Sequence, residues 1–179
     1  MREVFQAFGC VHQVMKGSFL LRQHEKNQQL FFIERGLVKA FYETIDGKEF
    51  IKSFIAEGGF IASMQAVVAG SANAFSVLAL EDCVVLEVPA SVFTGPLADD
   101  PVVMQKLNQA LLQLAMKKEQ REYEFLCLSP EQRYLTFCER AQGLMARLTQ
   151  QDIAKYLGIT PVALSRIRKR CGLAASRQN

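Results

Sequence analysis

Apolar positions change their spacing twice along this chain. Between about Val14 and Val88 they fall in short runs rich in β-branched and aromatic residues, parted by glycine or polar turns. That pattern predicts strands at 19–21, 29–33, 36–42, 49–55, 75–80 and 83–88. Asp46-Gly47 is a strong hairpin signal between two of them, and 34–36 and 56–59 read as further turns. Six or more short strands in about seventy-five residues predict a β-sandwich or barrel-like roll. The alternation lapses between Ile61 and Gly70, where 62–68 reads as a short helix.

Helical spacing begins at Asp99-Asp100-Pro101, acidic at the cap and proline just inside, as a helix dipole favours. Met104, Leu107, Leu111 and Leu114 follow a heptad a/d pattern. The pattern runs on through polar Lys118 and Arg121 before Phe125 and Leu128 restore it. From Pro101 to Phe125 such a helix spans roughly 37 Å, longer than a small roll needs, so the four residues are expected to form a dimer seam. Packing on its own domain is the alternative. Ser129-Pro130-Glu131-Gln132 is a capping box. The helix it starts is expected to turn Leu135 and Cys138 to the core and to end at Gly143.

Two short helices joined by a tight turn follow between Leu148 and Arg170. Thr149 and Asp152 have capping-box spacing, and Thr160-Pro161 is an N-cap with proline at the first helical position. Gly158 sits where the first helix must stop with positive φ. Ala154 permits a close crossing, Ile153, Leu157, Leu164 and Ile167 form the apolar seam, and Ile159 plugs the turn. This is a helix-turn-helix pattern, whose second helix enters a DNA major groove. An ordinary helical hairpin in a core would share the apolar spacing. It would not call for a basic outer end, where Arg166, Arg168, Lys169 and Arg170 follow Ser165.

Charge sharpens that reading. Residues 115–179 hold twelve Lys/Arg against six Asp/Glu, and residues 1–114 hold nine against twelve, so the chain's net +3 conceals a basic C-terminal part. Such asymmetry points to nucleic acid. The apolar runs are too short to cross a membrane, and the first residues lack a signal-type apolar stretch, so a cytoplasmic protein without a membrane partner is expected. The five cysteines, Cys10, Cys83, Cys127, Cys138 and Cys171, are scattered with no C-x-x-C pair. Reduced thiols are expected, and no metal site, since His12 and His24 lie near no cysteine cluster. No nucleophile–base set or glycine-rich phosphate loop suggests an enzyme.

In this order the motifs resemble the Crp/Fnr superfamily of bacterial transcription regulators. Lys16-Gly17-Ser18-Phe19-Leu20-Leu21-Arg22 is similar to the family's opening strand. Phe32-Ile33-Glu34-Arg35-Gly36-Leu37-Val38-Lys39 is similar to its strand pair, Asp46-Gly47-Lys48-Glu49 to its hairpin, and Ala79-Leu80-Glu81-Asp82-Cys83 to its last roll strands. The resemblance covers nearly the whole chain. It implies an α+β fold: a jelly-roll-like β-roll, or double-stranded β-helix, over 1–98, a long dimerisation helix over 99–127 and a helix-turn-helix domain over 128–179. It implies double-stranded DNA, a second copy of the chain and RNA polymerase as partners. A small-molecule sensor with a vestigial DNA-binding head is the competing function.

The family's cyclic-nucleotide cassette pairs a glutamate that holds ribose with an arginine that neutralises phosphate. The corresponding dipeptides here are Ala62-Ser63 and Asn73-Ala74, so both anchors are missing, and cAMP binding is not expected. No cofactor is expected, and the residues name no other effector. Only Cys10 stands where the oxygen-sensing members carry three cluster cysteines, and neither histidine is supported as a haem ligand. On the reading helix the resemblance assigns DNA contacts to Thr160, Pro161, Val162, Ser165, Arg166, Arg168, Lys169 and Arg170. Pro161-Val162 stands where many members have Arg-Glu, and only Arg166 is kept, so the half-site should differ. No hairpin is expected after Arg170. A wing, if formed, is very short and lies at 143–147.

Overall fold

The structure, a computed structural model, describes residues 2–172. The segment after Gly172, where no hairpin was expected, lies outside the described residues. The chain divides into two compact units, one up to Gln113 and one from Leu114.

In chain order the first unit holds α1 (Arg2–Phe8), β1 (Cys10–Val14), β2 (Phe19–Leu21), β3 (Gln29–Arg35), β4 (Val38–Glu43), β5 (Glu49–Ile55), β6 (Phe60–Ile61), α2 (Met64–Ala69), β7 (Ser76–Ala79), β8 (Cys83–Pro89), α3 (Ser91–Thr94) and the start of α4 (Pro101–Cys127). The strands form two antiparallel sheets, ordered β1-β8-β3-β6 and β2-β7-β4-β5. Their facing sides bury Leu21, Ile33, Val38, Val77 and Val85 in one core. The run 30–33 is apolar without alternation because β3 is covered on both sides. Phe31 and Ile33 enter the inter-sheet core, and Leu30 and Phe32 enter a second core with Val4, Phe5, Phe93 and Val103. Each such side chain, taken fully out of water, contributes roughly 1.5–3 kcal/mol.

Several elements of this unit escape the periodicity, β1 and α1 among them. Strand β1 is largely exposed and so carries no alternation, although it pairs with β8 from Cys10↔Glu87 to Val14↔Cys83. Helix α1 is seven residues long, too short for a helical stripe, yet Phe5 is fully buried.

The second unit holds the rest of α4, α5 (Pro130–Arg140), a 3-10 turn at Met145–Arg147, α6 (Gln150–Leu157) and α7 (Pro161–Arg170). The Ser129 capping box forms with both of its hydrogen bonds. Helix α5 departs from expectation in two ways. It ends at Arg140, capped by Ala141, before Gly143. Its buried face is Tyr134 and Phe137, with Ala141 below, whereas Leu135 is 42% exposed and Cys138 is half-buried. The stripe 134, 137, 141 follows helical spacing, and Leu135 lies about 100° away from Tyr134 around the axis. Residues 143–147 form turns where a short wing was the alternative.

The turn into β4 is tightly built. Gly36 has φ +101°, and a Cβ there would lie 2.5 Å from Cys83 Sγ and 2.9 Å from Cys83 Cα. Gly36→Ala is therefore expected to destabilise the roll by roughly 1–3 kcal/mol. Urea denaturation measures this, and an unchanged midpoint would contradict the packing described.

Candidate nucleic-acid interface

Two threonine side chains and one glycine backbone fix the geometry of the last helices. Thr149 Oγ1 accepts from Asp152 N–H at 3.1 Å and donates to Asp152 Oδ2 at 2.5 Å. Thr160 Oγ1 accepts from Ala163 N–H at 3.2 Å, with Pro161 opening α7. Gly158 closes α6 in the left-handed region, and its N–H donates to Ala154 C=O. Between the helices Ile153, Ala154, Leu157, Leu164 and Ile167 are buried, while Ile159 is half-buried at the turn. Tyr156 packs on Phe137 of α5 with ring centres 4.9 Å apart.

Once Leu164 and Ile167 face inward, the opposite side of α7 is set by spacing. Val162, Ser165, Arg166 and Lys169 are exposed there, with Thr160 and Pro161 at its start. Val162 is 62% exposed, an apolar side chain left in water on a polar face. The other two basic residues assigned to this face lie elsewhere. Arg168 is half-buried, and its Nε is buried without a hydrogen-bond partner among the described residues. Arg170 pairs with Glu131 of α5, Nη2 to Oε2 at 2.9 Å. Beneath them burial pushes the Tyr134 phenol up to about 12, and neighbouring Cys138 adds to that rise.

In the first unit the cassette positions come together, but they serve the fold. Ser63 and Asn73 are each 1% exposed. Ser63 Oγ accepts from Ala74 N–H at 3.3 Å. Asn73 donates from Nδ2 to Arg22 C=O at 3.1 Å and from its N–H to Glu25 C=O at 2.8 Å, and its own C=O accepts from His24 N–H at 2.9 Å. Asn73 Oδ1 is buried without a hydrogen-bond partner among the described residues. Ala62 and Ala74 are half-buried. A cation does reach this end of the roll from a position that the dipeptide comparison does not cover. Lys52 of β5 places Nζ 4.0 Å from the centre of the Phe75 ring. A cleft of about 370 Å³ opens elsewhere, lined by His12, Val14, Phe31, Val85 and Glu87 and by none of the cassette residues.

On α4 the expected seam residues are unevenly covered. Met104 and Leu107 pack against the roll's second core, Leu114 is half-buried and Leu111 is 36% exposed. Leu112, Met116, Tyr123 and Leu126 are left exposed, and they follow heptad spacing among themselves.

Comparisons with known proteins agree with this architecture. The cyclic nucleotide-binding domain family matches residues 11–100. Over 178 residues the chain is 25% identical to the cAMP-activated global transcriptional regulator CRP of Salmonella typhimurium, covering 93% of this chain and 84% of that protein. It is 27% identical over 169 residues to the anaerobic regulatory protein of Haemophilus influenzae, covering 86% of this chain and 63% of that protein. Among solved structures, the c-di-GMP responsive global regulator CLP of Xanthomonas campestris superposes with a TM-score of 0.82 at 16% identity, over 99% of this chain and 94% of that one. FixK2 of Bradyrhizobium japonicum gives a TM-score of 0.82 at 18% identity, over 95% and 89%. The fold is thus a β-roll, a long helix and a helix-turn-helix.

Proposed function

This chain belongs to the Crp/Fnr superfamily of transcription regulators and carries its cyclic nucleotide-binding domain, and from that we propose a homodimer that reads double-stranded DNA with α7 and does not answer to cAMP. The observation that carries the proposal is the uncovered face of α7, where Val162, Ser165, Arg166 and Lys169 align above a buried Leu164–Ile167 seam. Arg166 has the planar fork for a bidentate contact with guanine O6 and N7, and Val162 can meet a thymine methyl. Thr160, Ser165 and Lys169 reach phosphate or base edges, and the N-terminus of α7 favours a phosphate nearby. We assign sensing to 1–98, dimerisation to 99–127 and reading to 128–179, with RNA polymerase as a further partner on DNA.

The seam is proposed where α4 remains uncovered, along Leu111, Leu112, Met116, Tyr123 and Leu126. Met104, Leu107 and Leu114 contribute only their exposed edges. Two copies meeting there would carry two reading heads, as a palindromic site requires. For cAMP the arrangement is unfavourable. A cyclic phosphate at the cassette would lose its water beside Ser63, Asn73 and two alanines, with neither the paired arginine nor the ribose carboxylate. Without a differential affinity for two states a ligand shifts nothing.

Three outcomes test this reading. Arg166→Ala should relax base preference at one position of each half-site and cost roughly 1–3 kcal/mol, whereas Lys169→Ala should weaken all sequences alike and lower the salt slope by about one. Binding to a selected genomic fragment across a salt series measures both, and wild-type behaviour of both variants would refute the reading face.

Leu112→Glu is expected to give monomers in sedimentation and weaker DNA binding. A wild-type protein that stays monomeric at high concentration would remove the seam altogether.

Calorimetry with cAMP at millimolar concentration should show no tight binding. Micromolar affinity together with altered DNA binding would overturn the cassette argument.

A further inference from the structure

Helices α4 and α5 are joined by Leu128 and Ser129 alone, and Ser129 is extended, with φ −63° and ψ 158°. So short a joint bends the chain without fixing the direction that α5 takes. Across the bend lies a buried charge that neither the core nor the reading face uses. Glu124, near the end of α4, is 1% exposed. Its Oε1 lies 2.7 Å from Arg140 Nη1, and its Oε2 accepts from Arg140 Nη2 at 2.9 Å, a two-pronged pair to the far end of α5. Gln120 Nε2 donates to Oε1 at 3.1 Å.

One turn earlier, Arg121 reaches α6. Its guanidinium stacks 3.7 Å from the centre of the Tyr156 ring and 4.3 Å from that of Phe125, and Nη2 donates to the Tyr156 carbonyl. Arg121 Nη1 lies 4.0 Å from Glu124 Oε2. Phe125 in turn lies against the turn between α6 and α7, where a Cβ on Gly158 would meet its Cε1 at 3.0 Å. The end of α4 is thus tied to α5 and α6 by directional contacts.

We propose that Glu124, through its bidentate pair with Arg140, is a positioning residue that fixes the angle of the reading helix pair on α4 and so selects the half-site spacing accepted by the dimer. This rests on the DNA-binding dimer proposed above. A buried ion pair is a poor source of stability beside an apolar replacement, but two parallel hydrogen bonds fix an orientation that apolar contacts would let slide. In a dimer whose seam is α4, a change in that angle moves the two reading helices relative to each other. Half-sites lie about 34 Å apart for one turn of DNA, and one base pair changes that separation by about 3.4 Å.

The test is selection from DNA carrying the preferred half-sites at centre-to-centre spacings varied by single base pairs. The wild type should favour one spacing about tenfold over its neighbours, and Glu124→Gln should cut that ratio to about threefold or less while half-site sequence preference is unchanged. Arg140→Lys keeps the charge and loses the fork, so it should show the same broadening in part, and it decides the matter if Glu124→Gln does not fold. An equal loss of affinity at every spacing, or an unchanged spacing ratio in folded variants, would overturn the proposal. A wild type that selects half-sites but is indifferent to spacing overturns it alone, whereas a wild type that selects no DNA removes the DNA-binding reading as well.

Discussion

Helix α4 has to be buried twice. Its first turns supply Val103, Met104 and Leu107 to the core outside the β1-β8-β3-β6 sheet. Its last turns supply Arg121, Glu124 and Phe125 to the helical unit. The chemistry of the two burials differs. The first is aliphatic and follows area removed from water. The second is ionic and aromatic, and it is favourable only where every charge finds a partner. Glu124 meets that condition through Arg140 and Gln120. Arg121 meets it in part. Burial draws its pKa down from the usual guanidinium range, while Tyr156 and Glu124 hold it up, and a guanidinium remains charged in any case.

That division decides what remains for a partner. A heptad pattern read along α4 selects apolar residues without regard to what already covers them. Met104 and Leu107 are apolar because the roll needs them. Arg121, in the same register, interrupts the stripe, and its guanidinium packs over the Tyr156 ring. Leu112, Met116, Tyr123 and Leu126 are exposed among the described residues. Exposure of four large side chains at heptad spacing is the stronger argument for a second copy, because an apolar face in water is costly unless something covers it.

The legible parts of the sequence were those whose signal is local. Ser129, Thr149, Thr160, Pro161 and Gly158 each act within a few residues, and each terminus they mark formed as spacing predicts. Strands β3, β4 and β8 were legible because burial leaves apolar runs, and half-buried β5 was legible through its β-branched and aromatic residues. Strand β1 was not, since a largely exposed strand carries no alternation, and β6, at two residues, is shorter than any pattern. The Glu124–Arg140 pair was invisible for another reason. Its partners are sixteen positions apart on different helices, and in sequence each looks like one more solvated charge. The inward face of α5 is misleading in sequence because Leu135 and Cys138 are the natural core residues by type, whereas the tyrosine and phenylalanine beside them fill the space.

The basic balance of residues 115–179 must likewise be divided before it can argue for DNA. Arg121 and Arg140 are engaged with Glu124 and Tyr156, Arg133 donates to Leu128 C=O and lies over Phe125, and Arg170 is held by Glu131. These cations build the unit. They add little field at the proposed reading face, because a paired charge is partly neutralised by its partner and screened by salt beyond about 8–10 Å. Arg166 and Lys169, exposed and one helical turn apart on α7, are differently placed. A net charge counts both kinds alike and so overstates the electrostatic footprint. On α7 the exposed share described is Arg166 and Lys169, beside Val162 and Ser165, and it is this small set, not the net charge, on which the proposed reading of DNA rests.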